Sequence, residues 1–364
     1  MTALIPFVTG TTSARLFEDD YQDSDFVRIS LLSSREGIRR LEKLKTPLWV
    51  DGAVDGLHYV QSGKIVLSSD QGLGPWKKLM RSCDGRDVLV ALQSLKKPPK
   101  QKLEEFVNKI LDKSQELEPS WLSVPQLPIV NGSERNRFNI ELAKAAAKWK
   151  IARKFKGIFV LPVIFTHQEQ LKRKTEWKKT LVQARRTFDA SDSKVIWIVD
   201  SSVGAYTASR TLDRRFGSLI DIQEYVTSEF PKNTIRVCGP YWGMNLLLWT
   251  RGLCDYAATG LGASFQYMIP GFPPFPTSTG RSRIALSPLR RTAVVSSELH
   301  AWIKKTLRQI DAGSQPHYAL QFLATNWQGM ADEFVARQHV AKFYRHWYDL
   351  LAKSDKKGRA VALY

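Results

Sequence analysis

From about residue 26 onward, short apolar runs rich in β-branched residues alternate with longer stretches of helical periodicity, the order of parallel βα units. The strand candidates are Phe26 to Leu32 (FVRISLL), Pro47 to Val50 (PLWV), Asp87 to Leu92 (DVLVAL), Trp121 to Leu127 (WLSVPQL), Ile158 to Thr166 (IFVLPVIFT), Lys194 to Asp200 (KVIWIVD), Thr234 to Cys238 (TIRVC) and Asp255 to Ala258. Helical patterns fall between them at Ser33 to Leu44, Gln101 to Glu118, Glu134 to Phe155, Gln168 to Phe188, Leu219 to Phe230 and Asn245 to Arg251. The first of these opens on Ser33-Ser34-Arg35-Glu36, where a serine hydroxyl and an early acid supply acceptors for the free N–H groups of the first turn.

Strands this apolar on both faces belong in a sheet covered by helices, and about eight of them with intervening helices predict closure into an α/β, TIM-like (β/α)8 barrel. An open doubly wound sheet is the alternative, but no GxGxxG or GxxxxGK[ST] follows the early strands. Residues 268–292 (MIPGFPPFPTSTGRSRIALSPLRR and the Thr292 that follows) break the pattern with proline, glycine and arginine and read as a long loop or boundary. Helical patterns resume at Ser296 to Ile310 and Gly329 to Leu351, so the expected organisation is a barrel over 1–267, a boundary over 268–292 and a C-terminal helical extension over 293–364.

Charge adds a partner to this picture. Lys and Arg number 54 against 35 Asp and Glu, a formal +19, and such a surface attracts polyanions. With 11 Trp, 11 Tyr and 17 Phe available for stacking, nucleic acid is the expected partner. Three scattered cysteines, Cys83, Cys238 and Cys254, make no disulfide framework. The first residues lack the basic and apolar regions of a signal peptide, and no run has the length of a membrane span; a cytoplasmic protein without membrane contact is the expectation.

In a barrel of this kind reactive side chains project from the C-terminal ends of strands. Polar groups fall there at Asp51 and Asp55, at Gln126, at His167 and Gln168, and at Asp200, Ser201 and Ser202. A further cluster around the last two strands holds Gly239, Tyr241, Trp242, Gly243, Asn245 and Asp255. Carboxylates at such a mouth act as nucleophile or general base when their surroundings set their pKa values apart, though any one of them also serves simply to cap the next helix. The six histidines form no zinc spacing and no metal is expected; no GxSxG elbow supports a hydrolytic triad. Two successive helices are strongly basic: Lys148 and Arg153 lie on one with further lysines, and Lys172, Arg173, Lys174, Lys178, Arg185 and Arg186 crowd the next. Interleaved with Trp149 and Trp177, they read as a phosphate-binding flank, which Arg281, Arg283, Arg290 and Arg291 would extend, with Lys304, Lys305 and Arg308 beyond.

Two of these strand ends resemble the tRNA-guanine transglycosylase family. The family carries an "ADSGG" turn after an early strand, and LWVDGAVDG sets Asp51 at the place of its Asp. Near its last strands it carries a glycine, a short helix and "RG-V-D-x-F-D", a layout similar to VCGPYWGMNLLLWTRGLCDY, with Arg251-Gly252 ahead of Asp255. The likeness covers roughly residues 26–265 in layout and these two stretches in letters. It implies exchange of guanine in DNA or tRNA for a 7-deazaguanine such as preQ0, without a cofactor. Asp255 would be the nucleophile of a covalent glycosyl intermediate and Asp51 the base. Gln126 and Asp200 would read the base edge, with Tyr241, Trp242 and Gly243 around it. The chain departs from the family in lacking its CxCxxC and His zinc site, and FVLPVIFTHQ stands where the family has "GIVQGG". Two other expectations stand beside this one: a metal-dependent phosphodiesterase built on Asp51, Asp55 and Asp200, and a non-catalytic basic subunit that binds nucleic acid within an assembly of other proteins.

Overall fold

Eight parallel strands close into a barrel in chain order: β1 (Leu4–Val8), β2 (Val27–Ser30), β3 (Leu48–Asp51), β4 (Trp121–Ser123), β5 (Ile158–Phe165), β6 (Val195–Asp200), β7 (Ile235–Cys238) and β8 (Tyr256–Gly260). β1 closes the ring by pairing with β8 from Leu4↔Ala257 to Phe7↔Gly260. The computed structural model describes residues 2–57, 74–85, 88, 91, 100–129, 135–201, 209–241, 244–261, 267, 269, 283–287 and 291–354.

The expected count of strands holds through two compensating corrections. LIPFV at the N-terminus is a fully buried strand, which Pro6 disguises, since proline lacks the N–H a ladder uses. Of DVLVAL the described residues are Val88 and Ala91, which are helical in place of the expected strand and are buried three residues apart, one face of a helix. A short apolar run bears either reading, and periodicity alone does not separate a buried helix from a buried strand.

Among the described residues the surrounding helices are α1 (Thr11–Asp20), α2 (Arg35–Leu44), α3 (Gly74–Ser82), α4 (Lys100–Gln115), α5 (Arg135–Ala152), α6 (Gln168–Lys172), α7 (Lys174–Ala190), α8 (Ser209–Glu229) and α9 (Met244–Thr250). Ser34 caps α2 by accepting from the Gly37 N–H, as its sequence predicts. The barrel interior is aromatic. Phe7, Trp49 and Trp197 meet edge to face with centroids 5.2 to 5.6 Å apart, and below them Phe26 stacks on Trp121 at 4.0 Å, with Tyr256 against both. Large rings thus fill a space that Val, Ile and Leu commonly fill in such barrels. Three of the 11 tryptophans are used here, and Trp76, Trp149 and Trp177 are buried as well, so the abundance of aromatics is no measure of stacking surface.

Within the expected 268–292 boundary, β9 (Arg283–Ser287) pairs antiparallel with β10 (Arg291–Val294). The hairpin corrects the reading of this stretch as loop alone; its prolines and glycines mask the apolar alternation around Ile284. That residue is buried with Ile303, Leu320, Leu323 and Met330 in a small second core built by α10 (Ser297–Leu307), α11 (Gln315–Thr325) and α12 (Glu333–Lys353). α12 docks this extension on the barrel. Tyr21 donates to the Ala341 carbonyl, the Ala3 N–H donates to the Tyr348 hydroxyl, and Arg345 grips Asp23 with two hydrogen bonds. Tyr344 donates to Asn245 Oδ1, and Asn245 passes the link on to the Ala258 carbonyl of β8. Tyr344→Phe leaves that buried amide oxygen short of its donor, and urea denaturation is expected to register a loss of about 1 to 2 kcal/mol.

Candidate active site

The end of β3 builds one side of the barrel mouth. The chain leaves the strand at Asp51 and turns at once through Gly52 and Ala53 into a 3-10 turn at Val54–Gly56. Gly52 is required by packing, because a Cβ there would lie 2.6 Å from the Ile110 side chain. Ala53 takes a left-handed φ of 56°, a conformation costing an alanine about 1 kcal/mol and sustained only when its neighbours hold it. They do so here: Asp51 Oδ1 accepts from the Ala53 N–H at 2.7 Å, and the Trp76 indole of α3 donates to the Ala53 carbonyl at 2.9 Å. The turn brings Asp55 back beside Asp51.

Arg28 of β2 lies inside the barrel and ion-pairs with Asp51 Oδ2, both side chains buried. Its guanidinium sits 4.3 to 5.5 Å from the ring centroids of Phe7, Trp197, Tyr267 and Trp49. Burial works against its charge, and Asp51, Tyr267 and Asp55 outweigh burial, so its pKa ends above the ordinary arginine value. Tyr267 packs edge to face on Phe7 and Trp197 and donates to Asp55 Oδ2 at 2.5 Å; the Ile269 N–H donates to the Ser201 hydroxyl at the end of β6.

Asp55 is the perturbed group of this constellation. Burial, and then the charge of Asp51, push its pKa up to about 7, against the smaller opposing pull of the Tyr267 hydrogen bond and Arg28. Among the described residues its Oδ1 is buried without a hydrogen-bond partner, as is Arg28 Nε. Asp51 and Asp55 line a narrow cleft with Gly52, Val54, Ser123, Val124, Pro125, Gln126, Pro162 and Ile164, the C-terminal ends of β3 to β5. A carboxyl that titrates near neutrality beside one fixed in an ion pair divides proton transfer from charge stabilisation between two like residues.

No protein-family model matches the chain, and no curated protein matches it. The site therefore rests on its own geometry, which brings some of the expected residues together and separates others. Asp51 and Gln126 share the cleft, and Asp200 ends β6 buried at the same face. Both amide N–H contacts of Gln126 go to backbone carbonyls, of Pro125 and Asn139, so only its carbonyl oxygen remains to meet a ligand. Tyr241 is buried and donates to the Ile198 carbonyl, a packing role in place of the expected stacking wall. Trp242 and Gly243 lie outside the described residues.

Asp255 is the main correction. It precedes β8 and so lies at the N-terminal face of the barrel, opposite the mouth that holds Asp51. There it binds Arg236 near the start of β7 with two side-chain hydrogen bonds of 3.0 and 3.1 Å and accepts from the Arg236 N–H at 2.7 Å. The two aspartates of the resemblance do not converge. Asp255→Asn is expected to leave chemistry at the mouth unchanged and to cost about 1 kcal/mol or less in a urea melt, since the carboxylate is 41% exposed and screened.

The expected phosphate-binding flank is laced with carboxylates. Lys148 pairs with Glu104, Arg153 with Asp112, Lys172 and Arg173 with Glu169, and Arg185 with Asp189. Lys178 lies 5.7 Å from the Tyr225 ring centroid, and Lys174 and Arg186 are exposed. Trp149 and Trp177, read as stacking partners between these cations, are both buried in the core. Arg283 and Arg291 belong to the β9–β10 hairpin, while Arg281 and Arg290 lie outside the described residues. Among the described residues no three His, Cys, Asp or Glu side chains gather as metal ligands, so the phosphodiesterase reading lacks its ligand set. No described helix is long and apolar enough to cross a membrane.

Sequence reasoning passes over Arg28 and Tyr267. A lone arginine inside the apolar run FVRISLL is the signal for the first, since a charge inside a barrel requires a partner. Tyr267 carries no local signal; its role comes from the fold of the segment after β8.

Proposed function

We propose that the protein breaks and remakes a glycosidic bond at the barrel mouth, exchanging guanine in DNA or tRNA for a 7-deazaguanine such as preQ0, with Asp55 as acid and base. The observation that carries this reading is Asp55 itself: a buried carboxyl with a pKa near 7, one oxygen held by Tyr267 and the other without a partner. Protonated, Asp55 gives its proton to the leaving base as the C1′–N bond breaks and the bonding electrons depart with that base. Asp51, ion-paired with Arg28, stabilises the positive charge left on the sugar. The incoming base then attacks C1′ and returns a proton to Asp55, which restores the starting state. The resemblance assigns Asp255 the part of covalent nucleophile; here Asp51 stabilises the charge on the sugar instead, because of these two aspartates only Asp51 shares the mouth with the acid.

The test is release of labelled guanine from duplex DNA and, separately, from tRNA in the presence of preQ0. Release by the unaltered protein and by Asp255→Asn, with none by Asp55→Asn, supports the reading. Release lost in Asp255→Asn and kept in Asp55→Asn overturns it. The occupation of Asp55 and Ser201 by Tyr267 and Ile269 favours one second reading, a non-catalytic barrel that presents its basic surface to nucleic acid. That reading requires binding without release, unaffected by Asp55→Asn.

A further inference from the structure

Among the described residues indole and phenol rings are mostly withdrawn from the surface, with two exceptions on the helical extension. Trp302 of α10 is 48% exposed and Tyr318 of α11 is 42% exposed. Every other described tryptophan is buried or half-buried. Tyr318 is also held flat: its ring stacks on His346 of α12 at 3.9 Å and 17°, which leaves the opposite part of the ring open. On α10, beside Trp302, the charge differs from that of the outer barrel helices. Lys304, Lys305 and Arg308 are exposed and make no ion pair among the described residues, whereas the cations of α5 to α7 are largely laced to carboxylates. Lys305 lies three residues after Trp302, on the same side of α10.

We propose that α10 and α11 form a docking surface for single-stranded nucleic acid, with unpaired bases stacked on Trp302 and Tyr318 and the phosphates met by Lys304, Lys305 and Arg308. Flat rings beside unpaired cations suit a strand whose bases are free to stack, whereas a duplex presents its phosphates and hides its base faces. The alternative of an anionic membrane surface is disfavoured by the same helix. The apolar stripe of α10, Leu299, Ile303 and Leu307, faces the second core, so no apolar face remains to enter lipid. The surface shares with the proposed reaction the premise of a nucleic-acid partner, but it is tested without turnover.

The experiment is fluorescence anisotropy of the full chain with a labelled oligothymidylate, with a duplex of equal length, and sedimentation with vesicles rich in phosphatidylserine. The oligothymidylate is expected to bind more tightly than the duplex. Trp302→Ala and Tyr318→Ala should each weaken it about tenfold, and Trp302→Phe should restore most of the loss. Lys304→Glu with Lys305→Glu should lower the salt dependence by about one unit of slope per lost phosphate contact. Trp302→Phe and circular dichroism separate loss of a stacking face from loss of fold. Affinity unchanged in Trp302→Ala, a preference for duplex, or binding to vesicles without binding to the oligothymidylate overturns the proposal. Base release that persists with full oligonucleotide affinity in Trp302→Ala overturns this surface alone, and tight, Trp302-dependent binding without release overturns the reaction alone.

Discussion

Asp55→Asn is expected to stabilise the protein by roughly 2 to 4 kcal/mol above pH 7 while reducing base release to background. The sign follows from the direction of the shift. Asp55 holds its proton to about pH 7 in the fold, and an ordinary carboxyl loses it near 3.8. As pH rises from about 4 the unfolded chain gives up this proton first, so the contribution of Asp55 to stability declines and levels off once the folded form has ionised as well. Asparagine has no proton to lose and can still accept the Tyr267 hydroxyl. Urea denaturation of both proteins should show nearly equal stability at pH 4, with a gap in favour of the variant that opens toward pH 8. A constant gap, or one of opposite sign, would show that Asp55 ionises like any surface carboxyl and remove it as acid and base. A gain in stability together with a loss of release is the behaviour of a group retained for chemistry at the expense of the fold.

Arg28→Met should produce the largest destabilisation, about 3 to 5 kcal/mol at pH 8. It removes the cation from a buried pair and leaves Asp51 and Asp55 facing each other among aromatic rings. Two outcomes accompany this one if the pairing is the cause. The loss should shrink at pH 5, where carboxyls without a cation take up protons, and Arg28→Met with Asp51→Asn should recover at least half of it. A double variant no better than the single one would assign the cost to lost packing over Phe7 and Trp197 instead.

Much of the barrel is legible in the chain because strands buried on both faces must be apolar throughout, and LWVD, IFVLPVIF and VIWIVD have no other use. LIPFV and DVLVAL defeat that rule in opposite ways: a proline disguises the first, and a buried helical face imitates a strand in the second. The candidate site is legible in part. Asp51 and Asp55 follow from their place after a strand, since strand direction alone sets them at the mouth. The same rule puts Asp255, which opens a strand, at the far face; likeness of letters to a family motif places it with Asp51 and strand direction separates them. Arg28 and Tyr267 depend on side chains meeting across the barrel, 239 positions apart in the sequence, and no local pattern encodes that meeting. Whether a cation is free or neutralised is equally invisible along the chain: Lys148 and Lys305 look alike in the sequence, and only Lys148 has a carboxylate beside it.

The union of the first strand with the last ones bears on how the protein is made. β1 pairs with β8, and Ala3 hydrogen-bonds to Tyr348 of α12, so β1 waits for partners that are synthesised well after it. β2 can pair with one side of LIPFV early, but until residues near 260 emerge its other side is an unpaired apolar edge, the kind of segment that sticks to its like or to a chaperone. A circular permutant that joins the extension to β1 and opens the chain at an outer helix would synthesise those partners in succession. Its yield on translation without chaperones measures how far that wait governs folding.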